Sequence, residues 1–133
     1  MEFNYMEISE FLERFCFFDD AVIREIDINF RNALHLTKVR IVLSARDKTY
    51  PLNDHWVNVV IEIEDVINFT FLETDKISYQ VLSNGLHIGK AGELISFDFG
   101  FFIDAPENFI EYKDSKFYVV GKKFKWSTTE YQE

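Results

Sequence analysis

The chain has 133 residues, of which 47% are hydrophobic and 17% aromatic, with a net charge of −9 at pH 7. That much apolar side chain supports one packed core and excludes a disordered chain, and the acidity argues against binding a phosphate backbone. A single cysteine, Cys16, excludes an internal disulfide, and no apolar run approaches the roughly 18–20 residues of a membrane span.

In chain order, the first feature is a helix. Asn4 and Glu7 read as a capping pair, and Ile8, Phe11, Leu12 and Phe15 follow at i, i+3, i+4 and i+7, which predicts an amphipathic helix over Tyr5 to Phe15. The opening residues MEFNYMEISEF lack the basic stretch and apolar run of a secretion signal, so a cytoplasmic location is expected. Asp19-Asp20 reads as the corner between this helix and the sheet, anchored by Phe18. From Ala21 the period changes to two. Ile26, Ile28 and Phe30 fall on one strand face, and Val39, Ile41 and Leu43 form a similar face opposite Lys38 and Arg40.

Ala45–His55 is a polar loop containing Pro51. Val57, Val59, Ile61 and Ile63 then point inward, with Asn58, Glu62 and Glu64 outward. INFTFLE and ISYQVL predict two short strands, and Ser83-Asn84-Gly85 a hairpin turn into LHIG. Glu93–Ile103 alternates Ile95, Phe97, Phe99 and Phe101 with Ser96 and Asp98. FIEY, KDS and KFYVV predict a last hairpin, which GKKFKW extends before a fraying STTEYQE tail. Strands joined by short turns predict a single α+β domain over residues 1–133, mainly β. An N-terminal amphipathic helix is followed by a curved, largely antiparallel multi-stranded sheet, folded strongly or into two layers.

Charge is unevenly placed. Residues 49–112 carry eleven acidic side chains against only Lys76 and Lys90, and the charges of the flanking segments cancel. Such a segment suits a basic protein partner and not a nucleic acid; acidity that simply keeps a Phe-rich chain soluble is the plainer alternative. Within the segment, Asp54, His55 and Trp56 stand at the end of a polar loop, and Glu62, Glu64 and Asp65 form an acidic group; these six are the candidate partner-binding residues.

Catalytic chemistry finds little support. Adjacent carboxylates such as Asp19 and Asp20 do not converge on one substrate, and His35, His55 and His87 have no second ligand at metal-site spacing. Gly85–Gly92 (GLHIGKAG) has three residues where a phosphate loop needs four, and Ala91 where it needs Ser or Thr. The sequence therefore predicts no catalytic residues, no metal and no cofactor, with a homodimer left open. Lysines 122, 123 and 125 read as an edge strand blunted against aggregation.

The stretch FDDAVIREI, Phe18 to Ile26, behind a short helix and ahead of antiparallel strands, resembles small bacterial immunity proteins of polymorphic toxin systems, the immunity protein 50 type, and related families of unknown function. In that pattern a His commonly precedes the Asp; here Asp19 holds its place, and Asp20-Ala21 match the remainder. The resemblance implies a non-enzymatic protein that binds and blocks a partner. The alternative reading is a small apolar-ligand binder whose curved sheet encloses a cavity lined by Phe97, Phe99 and Phe101.

Overall fold

The computed structural model describes residues 7–30, 37–49, 55–74 and 80–130. The helix α1 spans Ile8–Arg14 and is shorter than its apolar stripe suggests. Glu7 caps it in extended conformation without a side-chain bond, and Asn4 and Tyr5 lie outside the described residues. The helix ends because Cys16, Phe17 and Phe18 all take positive φ (55°, 57° and 57°), reversing the hand of the chain. This left-handed turn is closed by Phe18 N–H donating to Phe15 O (2.9 Å) and Asp19 N–H donating to Cys16 O (3.1 Å).

Left-handed backbone costs an L-residue about 1–2 kcal/mol. The offset is visible in the side chains: Phe15 and Phe18 are fully buried, each of which stabilises by about 1.5–3 kcal/mol, while Phe17 is left 51% exposed. The Asp19-Asp20 corner is held by main chain. Asp20, at φ 58°, donates its N–H to Leu82 O (2.9 Å), and both aspartates are exposed.

Among the described residues nine strands follow: β1 Ala21–Asn29, β2 Thr37–Arg46, β3 Trp56–Val66, β4 Asn68–Phe71, β5 Val81–Leu82, β6 Leu86–Ala91, β7 Leu94–Phe99, β8 Phe117–Gly121 and β9 Lys123–Glu130. They form two antiparallel sheets, ordered β5-β1-β2-β3-β9 and β4-β8-β7-β6. A bent ribbon joins the sheets. β3 pairs with β9 in the first sheet, and β4 pairs with β8 in the second. The bend lies at Asp65 (φ 53°) on one strand and at Gly121-Lys122 on the other, where Lys122 N–H donates to Glu64 O (3.0 Å). A Cβ on Gly121 would lie 2.6 Å from Ile63 Cγ2 and 2.9 Å from Glu64 O, so the ribbon closes this tightly only with glycine there.

The alternation read from the sequence is reproduced in the first sheet: Val39, Ile41, Leu43, Val57, Val59, Ile61 and Ile63 are buried in its core face. A bulge between Ile23 and Glu25 resets the phase of β1, so Ile26 and Ile28 join that face. On the same face α1 seats Phe11 and Phe15 against Trp126, with ring centroids 5.3 Å apart in both pairs, and Phe11 also meets Phe124 at 5.7 Å. The helix thus covers the β9 side of the interior. Its end is fastened by Arg14, whose Nε and Nη2 donate to Asp47 Oδ1 and Oδ2 at 3.1 and 3.0 Å.

Four expectations are corrected. Ser83-Asn84-Gly85 turns the chain without making a hairpin, because β5 pairs with β1 in the first sheet and β6 with β7 in the second. FIEY is not a strand but part of a 3₁₀ helix, Phe109–Asp114, because Tyr112 turns in to pack beneath it on the second sheet. Ser127–Glu130 does not fray: it pairs with Val57–Val60 as the end of β9. The Glu93–Ile103 strand stops at Phe99, because Asp98 captures the N–H groups of Phe101 (3.2 Å) and Phe102 (3.0 Å). Gly85–Gly92 holds β6 where a phosphate loop would need a helix N-terminus, and Ile77–Tyr79 of the ISYQVL strand lie outside the described residues.

Candidate protein-interaction edge

Most free strand edges here are blunted. β5 has two residues, β9 carries Lys123 and Lys125, and β1 beyond its bulge carries Arg24, Glu25 and Asp27. At β6 the edge carries Lys90, and Gly89 has its Cα face filled by the Tyr112 ring, 2.7 Å from where a Cβ would be. β4 differs. Its sequence, Asn-Phe-Thr-Phe, has no charge and no proline, and among the described residues it pairs on one side only.

The register shows which backbone groups β4 leaves free. Leu72 N–H donates to Lys116 O (3.0 Å) in line with the Phe71–Phe117 and Thr70–Tyr118 pairs. In an antiparallel ladder alternate residues bond to the same neighbour, so residues 68, 70 and 72 face β8, and the N–H and C=O of Phe69 and Phe71 face the open side. Their side chains are half-buried and stacked on each other at 5.4 Å. Phe71 meets Phe117 at 4.7 Å, and Phe69 meets Phe30 at 6.4 Å. Phe30 is 70% exposed and Ile67, just before β4, 49%.

Beside this strip a depression of about 320 Å³ opens between the sheets, lined by Ile23, Ile26, Phe71 and Phe117. Glu25, Glu73 and Arg24 stand at its rim, with Arg24 donating to Ser44 Oγ (2.9 Å) and Glu25 paired with Arg40 (3.3 Å). Asp65 and Glu73 flank β4 at its two ends, and neither is ion-paired among the described residues.

The residues singled out from sequence do not form one site. Asp54 lies outside the described residues. His55 is exposed and its carbonyl accepts from Asp47 N–H (3.0 Å); Trp56 lies under the Arg46 guanidinium at 5.3 Å. Glu62, Glu64 and Asp65 sit in the other half of β3, roughly 20–30 Å of strand from Trp56 at ~3.3 Å per residue. Glu62 and Glu64 do share a face, but that face is neutralised in place. Lys38 Nζ lies 2.8 Å from Glu62 in an off-axis ion pair, and Lys125 Nζ is 3.8 Å from Glu62 and 3.3 Å from Glu64. The corner residue Phe18 is core, as its role demands.

The most developed polar constellation is structural. Asp98, fully buried, accepts from Ser115 Oγ (2.6 Å), from the two loop amides, and bonds His87 Nδ1 (3.0 Å). Ser115 donates to Asp98 and not to the imidazole. Burial, and next the Asp98 charge, push the Tyr112 hydroxyl up to about 12. Among the described residues no group of three His, Cys, Asp or Glu side chains is placed to hold a metal ion, and no helix is long and apolar enough to cross a membrane. Phe97 and Phe99 are buried in the core, packed on Phe124 at 5.3 Å and Phe117 at 5.9 Å.

The β4 strip was visible in part beforehand: Ile67, Phe69 and Phe71 alternate with Asn68 and Thr70. That pattern fits any half-buried strand, and only the strand order reveals an open edge. No family description, curated protein or solved structure matches this chain.

Proposed function

We propose that the chain is a non-enzymatic protein-binding domain whose partner is a basic protein, taken along β4, in the manner its resemblance to immunity proteins implies. The observation that carries this reading is the uncharged, apolar, one-sided edge of Ile67, Phe69 and Phe71, continued by Phe30, in a chain whose other edges are blunted. A contiguous exposed apolar strip on a small domain marks a contact surface. The charge of −9 makes a second copy of the same chain a poor occupant and a cationic protein a good one, and it speeds the encounter. The contact surface is therefore assigned to the Asp65–Glu73 end of the acidic segment, since Glu62 and Glu64 already hold lysines of their own.

The test is affinity capture from the native host with the intact chain, alongside Phe30→Asp and Ile67→Asp, both at exposed positions that leave the core untouched. A basic protein retained by the wild type, released by salt and lost from both variants is the expected result. Equal retention by the variants, or no retention by any form, overturns the reading.

A further inference from the structure

Resting on that reading, we infer how the partner is held: it adds an extended segment to the free edge of β4, hydrogen-bonded to the main chain of Phe69 and Phe71, and that segment carries apolar residues at alternate positions and Lys or Arg at its ends. The free groups come first. Four main-chain groups, the N–H and C=O of Phe69 and of Phe71, point away from β8 at strand spacing, and no described residue pairs with them. An unblunted edge of this kind is a template for another strand, and the ladder supplies affinity whatever the sequence of the incoming chain.

Side-chain chemistry then sets the specificity. Alternate residues of an added strand point to opposite faces. One set falls on the side of Phe69 and Phe71, against Phe30 and the depression formed by Ile23, Ile26 and Phe117, and must be apolar. The other set emerges beside Asn68 and Thr70, while the two ends of the segment run past Asp65 and past Glu73 at the rim of the depression. These two carboxylates hold no ion pair among the described residues, unlike Glu25, Glu62 and Glu64, so they are available to cations at the two ends of the segment. β4 contributes few residues, so the added segment is short, and the apolar contacts supply the remaining affinity.

The probe is a library of displayed random peptides about twelve residues long, selected on the intact chain, followed by hydrogen exchange with the best synthetic binder. Enriched sequences with apolar residues at alternate positions and Lys or Arg at their ends are expected. Their binding slows exchange of the Phe69 and Phe71 amides about tenfold or more, and N-methylation at every second peptide residue in one phase weakens binding about tenfold while the other phase is tolerated. Unchanged exchange at Phe69 and Phe71, or indifference to N-methylation in both phases, overturns strand addition. In that case binding still lost in Phe30→Asp and Ile67→Asp leaves the protein-binding reading standing, whereas binders insensitive to both, or no enrichment at all, remove both. A concentration-dependent dimer that protects the same two amides would assign the edge to a second copy and also overturn the inference.

Discussion

Ser115 donates a 2.6 Å hydrogen bond to Asp98, seventeen residues earlier, and with the amides of Phe101 and Phe102 it closes the excursion between β7 and β8 onto the outer face of the second sheet. His87 completes the set from β6. Asp98→Ala leaves these donors buried without an acceptor, at about 1–3 kcal/mol for each orphan, and should lower unfolding free energy by about 3 kcal/mol or more. Ser115→Ala also strands Phe117 N–H, which Ser115 Oγ accepts at 3.0 Å, and should cost about 1–3 kcal/mol. Urea unfolding followed by tryptophan fluorescence measures both. Near-wild-type stability of Asp98→Ala would show that the carboxylate is not what holds this loop.

Tyr112 links the same region to alkaline stability. Its hydroxyl ionises at about 12 in the folded chain against 10.0 ordinarily. The folded value is the higher one, so the contribution is fully present below pH 10 and is lost as pH rises from 10 through about 12. One pKa step is 1.36 kcal/mol, so the loss across that window is about 2–3 kcal/mol. Tyr112→Phe keeps the ring in the space left by Gly89 and should flatten the decline. Parallel slopes in wild type and variant between pH 9 and pH 12 would refute the assignment.

Arg14 fastens helix to sheet. Burial alone would raise the Asp47 pKa, but the hydrogen bonds from Arg14 and Thr49 together outweigh it and hold the carboxyl below the usual 3.8. A depressed carboxylate contributes stability above its unfolded value that is lost as pH falls through 3.8 and below. The guanidinium also stands 5.0 Å from the Phe15 ring and 5.1 Å from Trp126. Arg14→Lys keeps the charge but loses the two-point bond and the planar stacking, and should cost about 1–3 kcal/mol. Asp47→Asn should lose the low-pH part of the stability profile that wild type retains, as thermal melts between pH 3 and pH 6 would show.

The corner prediction turns on backbone, not charge. Asp20 sits at φ 58° with an exposed side chain. Asn tolerates that conformation as well as Asp does, so Asp20→Asn should lie within about 0.5 kcal/mol of wild type. A β-branched side chain there is forced into the left-handed region, and Asp20→Val should cost about 1–2 kcal/mol. Phe17→Gly, at φ 57° and half exposed, should raise the melting temperature by relieving the same strain. A drop in melting temperature for Phe17→Gly would mean that the exposed ring contributes more than its backbone costs.

Glu62 is only 8% exposed and lies between Lys38 and Lys125. Glu62→Lys would bring a third amine into that space and should destabilise the fold by about 2–4 kcal/mol, whereas Glu64→Lys, at a more exposed position, should cost about 1 kcal/mol or less. Chemical denaturation of the two single variants separates them; equal effects would contradict the burial difference.

Several features were legible in the chain before folding. The period of two in Val39–Leu43 and Val57–Ile63 named the core face, because a strand side chain can point to only two sides. The period near 3.6 in Ile8–Phe15 named the helix, and Lys123 and Lys125 correctly marked β9 as an edge. FIEY was misread because four residues carry too little periodicity to separate a strand from a tight helical turn, and what decided it was the space above Gly89 that receives Tyr112.

The candidate site divides along the same line. Sequence alone determined the acidic segment, the apolar alternation of Ile67, Phe69 and Phe71, and the departure of Gly85–Gly92 from the phosphate-loop pattern, since each is a property of neighbours along the chain. Only the tertiary structure decided that Glu62 and Glu64 face lysines from β2 and β9, and that β4 has one partner among the described residues. Each of those depends on which distant strand lies alongside. That choice is fixed by the bend at Asp65 and Gly121, where the joint packing of both sheets, not local pattern, sets the backbone.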